Sequence, residues 1–138
     1  MIIDAKDSLL GRLCTVAAKE ILKGNKVDVI NCEECVVSGT KESILEKYHT
    51  KLKRGAPNKG PFFYRKPEML VKRTIRGMLP WKRSRGREAY LNVKCHIGVP
   101  EHLKNEKPVV FEEALVSKIQ KTDFMRMKDI CRSVGGKL

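Results

Sequence analysis

No run of this 138-residue chain approaches the ~20 apolar residues that span a bilayer. The opening Met1-Ile2-Ile3-Asp4 takes on charge too early for a secretory leader. Both absences predict a cytoplasmic protein with no membrane partner. Cysteines are few and odd in number: Cys14, Cys32, Cys35, Cys95 and Cys131. Without a leader, that count predicts free thiols and not a disulfide framework. Cys32-Glu33-Glu34-Cys35 has C-x-x-C spacing, but tetrahedral zinc needs two further ligands. Cys14, Cys95, His96 and Cys131 form no second spaced pair, and the intervening glutamates do not help a thiolate form. The pair reads as two small buried thiols at a strand end, with no metal.

Phosphate-cradling and catalytic signatures are missing too. The first strand-to-helix turn, Ala5-Lys6-Asp7-Ser8-Leu9-Leu10-Gly11, has one glycine and neither G-x-G-x-x-G nor a Walker pattern. Asp4 and Asp7 would repel a pyrophosphate there. His49, His96 and His102 are scattered with no nucleophile beside them. The reading is therefore no enzyme, no cofactor and no small-molecule substrate. A nucleotide-binding enzyme on a Rossmann-like sheet is the rival from another class, and a free RNA regulator is a second. Repeats and low-complexity tracts are absent.

The scarcest commodity is acid in the middle of the chain. Residues 51–87 hold thirteen basic residues and one acid, Glu68, while the remainder carries 16 basic and 15 acidic residues. The chain is thus a nearly neutral domain around one intensely basic segment. A solvated surface laced with salt bridges mixes the two signs. A block of one sign repels itself until a polyanion neutralises it, which points to nucleic acid.

At 41% hydrophobic residues, the chain is a single globular domain spanning 1–138. Ile2-Ile3-Asp4 reads as a short strand, with Asp7 and Ser8 offering helix N-caps. Leu10, Leu13, Cys14, Ala17 and Ile21 share one helix face, and Lys23-Gly24 stops that helix. Val27–Ile30 is a second strand, which makes a βαβ unit with parallel strands. Val36-Val37 is a further extended piece. Thr40 can cap a helix carrying Ile44, Leu45, Tyr48 and Leu52. Three prolines and two glycines make 54–67 an extended loop. Pro67 then opens a helix through Leu70, Val71, Ile75 and Met78. A short helix is expected over Arg87–Leu91, a strand over Val93–Ile97 and extended chain at Val109–Phe111. Phe124, Met127, Ile130, Cys131 and Val134 share one face of a last helix, stopped by Gly135-Gly136. Alternating β and α signals predict an α/β fold, a mostly parallel sheet with helices on both faces.

The candidate RNA-binding cations are Lys51, Lys53, Arg54, Lys59, Arg65, Lys66, Lys72, Arg73, Arg76, Lys82, Arg83, Arg85 and Arg87. Arginine adds a planar fork that suits phosphate. Gly55, Gly60, Gly77 and Gly86 would let backbone approach a phosphate. Phe62, Phe63, Tyr64 and Trp81 offer faces for unpaired bases. Against this, Phe62 or Phe63 is expected to pack on the domain, and Trp81 is read equally as core or contact.

Ile2-Ile3-Asp4-Ala5-Lys6 with Leu9-Leu10-Gly11-Arg12-Leu13 resembles the opening of the universal large-subunit ribosomal protein thirteen family. Arg76-Gly77-Met78-Leu79-Pro80 matches that family's most distinctive motif. Lys59-Gly60-Pro61-Phe62, Arg65 and Pro67 resemble its archaeal and eukaryotic branch, as do Arg85-Gly86, Ala89 and Val93–Gly98 with Pro100. Gly135-Gly136-Lys137 resembles the short archaeal C-terminus. The resemblance spans roughly residues 1–100. It implies three α/β/α layers around a four-stranded sheet of order 3-2-1-4, with a basic loop and a helical extension. It adds Arg12 to the candidates, beside Gly77 and Gly86. It also implies a structural role in the large subunit, with large-subunit ribosomal RNA and neighbouring ribosomal proteins, universal protein three among them, as partners.

Overall fold

The computed structural model describes residues 1–118 and 123–137. In chain order the elements are β1 (Ile2–Asp4), α1 (Leu10–Leu22), β2 (Val27–Ile30), β3 (Val36–Ser38), α2 (Lys41–Lys53), α3 (Pro67–Gly77), α4 (Ser84–Leu91), β4 (Val93–Cys95), β5 (Phe124–Arg126) and α5 (Met127–Ser133). The βαβ pattern is present: β1 pairs in parallel with β2, and β2 with β4. Among the described residues this sheet has three strands in the order β1-β2-β4, where four were expected. Beyond β1 a single residue bridges in parallel. Asp4 N–H donates to the Val109 carbonyl at 3.2 Å, and Val109 N–H to Ile2 at 2.8 Å. After Phe111 the chain turns into a 3-10 segment, Glu112–Ala114, so the ladder has no room to lengthen.

Two local expectations are corrected. Phe124 does not sit on the last helix face: it lies exposed in β5, which pairs antiparallel with β3 through Ser38↔Phe124 and Val36↔Arg126. The unpaired edge of β3 claims residues 124–126 as ladder partners, and tertiary pairing of this kind overrides a helical period. Helix α5 keeps Met127, Ile130 and Cys131 in the core, and Gly135 follows at φ +82°. Neither Asp7 nor Ser8 caps α1, whose N-cap is Leu9. Asp7 takes φ +50° and bonds Arg126, while Ser8 is buried with its hydroxyl donating to the Lys6 carbonyl. The Ser8 carbonyl meets Val36 N–H, so these residues join layers before the helix begins. Thr40 stands at the N-cap of α2 but makes no side-chain cap bond.

The core is continuous. Ile3, Val27, Val29 and Val93 from the sheet meet Leu13, Ala17 and Ile21 of α1 and Val71 and Ile75 of α3. Helix α1 packs against α3 and α4, and α5 against α2. Cys32 and Cys35 flank a 3-10 turn and are both fully buried, their thiols donating to the Val29 and Ser8 carbonyls. A hydrogen bond with Cys95, then burial, holds the Cys32 thiol well above its ordinary range. Burial pushes Cys35 to about 12. Thiols so protonated are packing groups, not nucleophiles.

The turn after α3 is a second fixed point. Leu79 is buried, and a Cβ on Gly86 would lie 2.2 Å from the Pro80 carbonyl oxygen. Only a glycine lets α4 approach that backbone. Gly77, in contrast, would meet nothing within 4 Å. Gly86→Ala is expected to cost about 1–3 kcal/mol through overpacking. Gly77→Ala is expected to stabilise by about 0.4–1 kcal/mol, through a less flexible unfolded chain. Urea denaturation of the two variants decides this, and equal midpoints would contradict it.

Glu34 accepts hydrogen bonds from Lys128, at 2.8 Å, and from Arg126, which also reaches Asp7 at 3.1 Å. The Lys128 bond, and then the charge of Arg126, holds the Glu34 carboxyl below its usual range. A folded pKa that is lowered stabilises above the unfolded value, about 4.3, and that stabilisation is lost as pH falls through the folded pKa. Glu34→Gln is therefore expected to be less stable than the parent at pH 7, with the difference closing as pH falls below about 4. Denaturant midpoints across that range test it; a constant gap would contradict it.

Candidate nucleic-acid interface

Helix α3 divides its surface cleanly. Pro67 occupies its first turn, and Leu70, Val71 and Ile75 face the core. At 3.6 residues per turn, Lys72, Arg73 and Arg76 fall on the opposite side. Each of these cations sits over an aromatic ring. Lys72 lies 5.1 Å from the Tyr90 ring centre, Arg73 4.9 Å from Tyr64, and Arg76 5.0 Å from Trp81. Trp81 in turn meets Tyr90 edge-on at 5.1 Å. Trp81 is 38% exposed, so it is neither core nor free: it is a platform for Arg76. The edges of both guanidinium forks stay available for phosphate oxygens.

Tyr90 was missed in the sequence. The helix that carries it starts at Ser84, three residues before the expected Arg87. With Gly86 placed in that helix, the i, i+4 relation puts Tyr90 on the same side as Gly86.

The loop after α2 closes on itself. Ala56 N–H donates to Gly60 at 3.2 Å and Gly60 N–H to Ala56 at 2.9 Å. Gly55 and Gly60 take φ +87° and +80°, and a Cβ on Gly55 would strike the Gly60 carbonyl oxygen at 2.2 Å. These glycines make the neck of the loop. Lys59 is exposed inside it, with Lys51, Lys53 and Arg54 at its root. Crowding there is visible in Lys51, whose pKa is lowered by burial and then by the charges of Lys47 and Arg54. Phe63 turns inward and meets Tyr48 edge-on at 6.1 Å, as expected for one of the pair, while Phe62 is 70% exposed. The far end of the loop rests on the C-terminal turn: a Cβ on Gly136 would lie 2.3 Å from the Arg65 carbonyl oxygen.

The remaining candidates divide. Lys66, Lys82, Arg83 and Arg87 are exposed. Arg85 donates to the Leu22 carbonyl at the end of α1, at 3.4 Å, and Arg12 to the Glu113 carbonyl at 2.8 Å. Those two are partly engaged by the domain. Thr15 bonds the Met78 sulfur at 3.7 Å, which brings α1 beside the turn. Gly86, read as a place for phosphate approach, is buried against Pro80 and serves packing instead; Gly77 is open.

The decisive feature is electrostatic. Every ion pair among the described residues lies outside 51–87. Glu68, the sole acid of the window, turns inward: its Oε2 is buried, and its charge helps raise the Cys131 thiol to about 12, second to burial. None of the thirteen cations therefore has a carboxylate partner among the described residues. No group of three or more metal-ligating side chains occurs among those residues, and no helix there is long and apolar enough to cross a membrane.

The chain is similar to known ribosomal proteins over nearly its whole length. The family model for ribosomal protein L13 matches residues 1–102. The large ribosomal subunit protein uL13 of Archaeoglobus fulgidus is 44% identical over 135 residues, covering 97% of this chain and 86% of its own. That of Methanopyrus kandleri is 40% identical over 136 residues, with 97% and 86% covered. That of Methanosarcina barkeri is 35% identical over 137 residues, with 99% and 98% covered. With a one-signed face on a parallel α/β sheet and relatives matched over nearly the whole chain, this protein belongs to the ribosomal protein L13 family.

Proposed function

We propose that this protein is a structural constituent of the large ribosomal subunit in the cytoplasm, that its 51–87 surface holds large-subunit ribosomal RNA, and that it catalyses nothing. The observation that carries the RNA surface is the set of thirteen cations without a carboxylate partner among the described residues. Phosphates bound there release counterions, which supplies affinity and makes it steeply salt-dependent. The shape of the folded RNA, and not a base code, supplies most specificity. Lys72, Arg73 and Arg76 on their rings form the centre; Lys51, Lys53, Arg54, Lys59, Arg65 and Lys66 flank it on one side, and Lys82, Arg83, Arg85 and Arg87 on the other. The nearly neutral remainder meets neighbouring large-subunit proteins, universal protein three among them.

The same reading takes the chain as one domain over 1–138, supported by β5 and α5 closing onto β3 and α2. It takes Val109 as the fourth sheet position, giving the order 3-2-1-4 within three α/β/α layers, supported by its parallel bridge to Ile3.

Two experiments test this function. The full chain is expected to sediment with large subunits through a high-salt sucrose gradient; a free pool alone would contradict the assignment. Separately, replacing Arg73, Arg76, Arg83 and Arg85 together by glutamine is expected to weaken binding to large-subunit ribosomal RNA. The log–log salt slope should flatten by roughly 0.7–0.9 for each phosphate that the variant no longer neutralises. The matched control replaces Lys19, Lys23 and Lys118, of which Lys23 and Lys118 are ion-paired; a fourth control, Lys121, lies outside the described residues. Thermal melts confirm folding. Equal flattening in both sets would move the interface elsewhere.

A further inference from the structure

Phe62 is the most exposed aromatic side chain of the basic segment, at 70%. Its neighbours in the Phe62-Phe63-Tyr64 run have clear employment. Phe63 packs on Tyr48, and Tyr64 lies beneath Arg73. Phe62 packs on neither. It is nevertheless held in place: a Cβ on Gly60 would sit 3.2–3.3 Å from Cδ2 and Cε2 of its ring, so the ring edge rests on the bare backbone of the loop neck. Single exposed apolar side chains are common on protein surfaces; this one stands out because its ring is held against the loop neck.

The ring is also a wall shared by two grooves. On one side lies an open, mainly apolar groove of about 400 Å³ lined by Pro61, Phe62, Phe63, Tyr64, Leu70 and Arg73. That volume falls within the range of small-ligand sites. On the other side is a trough of about 410 Å³ that includes Lys53, Arg54 and Arg65. An apolar slot with a guanidinium at its rim, backed by a basic trough, matches the two halves of a nucleotide: a flat base and a phosphate. Bare helical RNA offers no free base face, whereas bulges and loops do.

We propose that the groove beside Phe62 receives one unstacked base of the bound RNA, stacked on the Phe62 ring, with its phosphate held by Lys53, Arg54 or Arg65. This rests on the RNA-binding reading above and adds to it a site for a bulged or looped nucleotide. The 51–87 surface would then recognise irregular RNA, not continuous duplex. Charge complementarity selects RNA as the occupant, because the surrounding cations meet no acid of the protein among the described residues.

The test uses the full chain and two labelled RNA hairpins, one fully paired and one identical except for a single bulged adenosine. The parent protein is expected to prefer the bulged hairpin. Phe62→Ala is expected to weaken that complex by about 5- to 150-fold, the range for removing the stacking of one base. It should leave the paired hairpin's affinity and both salt slopes unchanged. Phe62→Tyr, which keeps the ring, is expected to retain the preference. As a measurement needing no variant, 2-aminopurine at the bulge should lose emission when the parent binds. Equal affinity of the parent for the two hairpins, equal weakening of both by Phe62→Ala, or unchanged emission would overturn the base site while leaving salt-dependent RNA binding intact. Absence of salt-dependent binding to either hairpin would overturn the RNA-binding reading itself, and the base site with it.

Discussion

The burial of one side of α3 is the constraint on which the rest of this structure hangs. Val71 and Ile75 are fully enclosed and Leu70 nearly so, and the Cys14 thiol of α1 reaches the Val71 carbonyl across the seam. Each such side chain contributes on the order of 1.5–3 kcal/mol on burial. The opposing term is the repulsion of Lys72, Arg73 and Arg76 gathered on the other side. Two like charges 4 Å apart in water repel by about 1 kcal/mol, and salt screens most of that beyond about 8 Å. The seam therefore outweighs the repulsion, and the helix can carry three cations on its outer side with no ion pair to them among the described residues.

Several charges outside 51–87 are paired. Glu34 gathers Arg126 and Lys128, Glu20 holds Lys23, and Glu112 holds Lys118. The Glu34 cluster ties β5 to the turn after β2 and so closes the C-terminal part of the chain onto the domain. The Glu34 cluster thus fastens elements together, whereas the cations of 51–87 are left without a carboxylate partner among the described residues. Neither job could be done by the other set, since a paired arginine has little field left to offer a phosphate.

Much of this was legible in the residues. The basic block, the βαβ opening, Pro67 at the start of α3 and the stop at Gly135 are local signals, and local physics honours them. What escaped were features decided by distant partners. Phe124 obeys a helical period on paper, but the edge of β3 lies waiting for it. Asp7 and Ser8 look like caps, yet Arg126 and Val36 claim them first. Gly86 looks like room for a ligand and is instead room for the Pro80 carbonyl, a contact that no spacing rule announces. The pairing of cations with rings was equally invisible, because Tyr64 and Arg73 or Lys72 and Tyr90 meet only after α3 and α4 are docked.

Those ring-borne cations have a thermodynamic side. A free lysine or arginine side chain surrenders up to about 1.5–2 kcal/mol of rotamer entropy when it is immobilised. For Lys72, Arg73 and Arg76 part of that ordering has already been met during folding, against Tyr90, Tyr64 and Trp81. Docking of RNA on the proposed surface would then leave less entropy to lose at its centre than at its rim, where Lys59, Lys82 and Arg87 are exposed. A polyanion on the proposed surface would accordingly meet a graded set of charges: a stiff middle that sets orientation on contact, surrounded by pliant charges that settle afterwards.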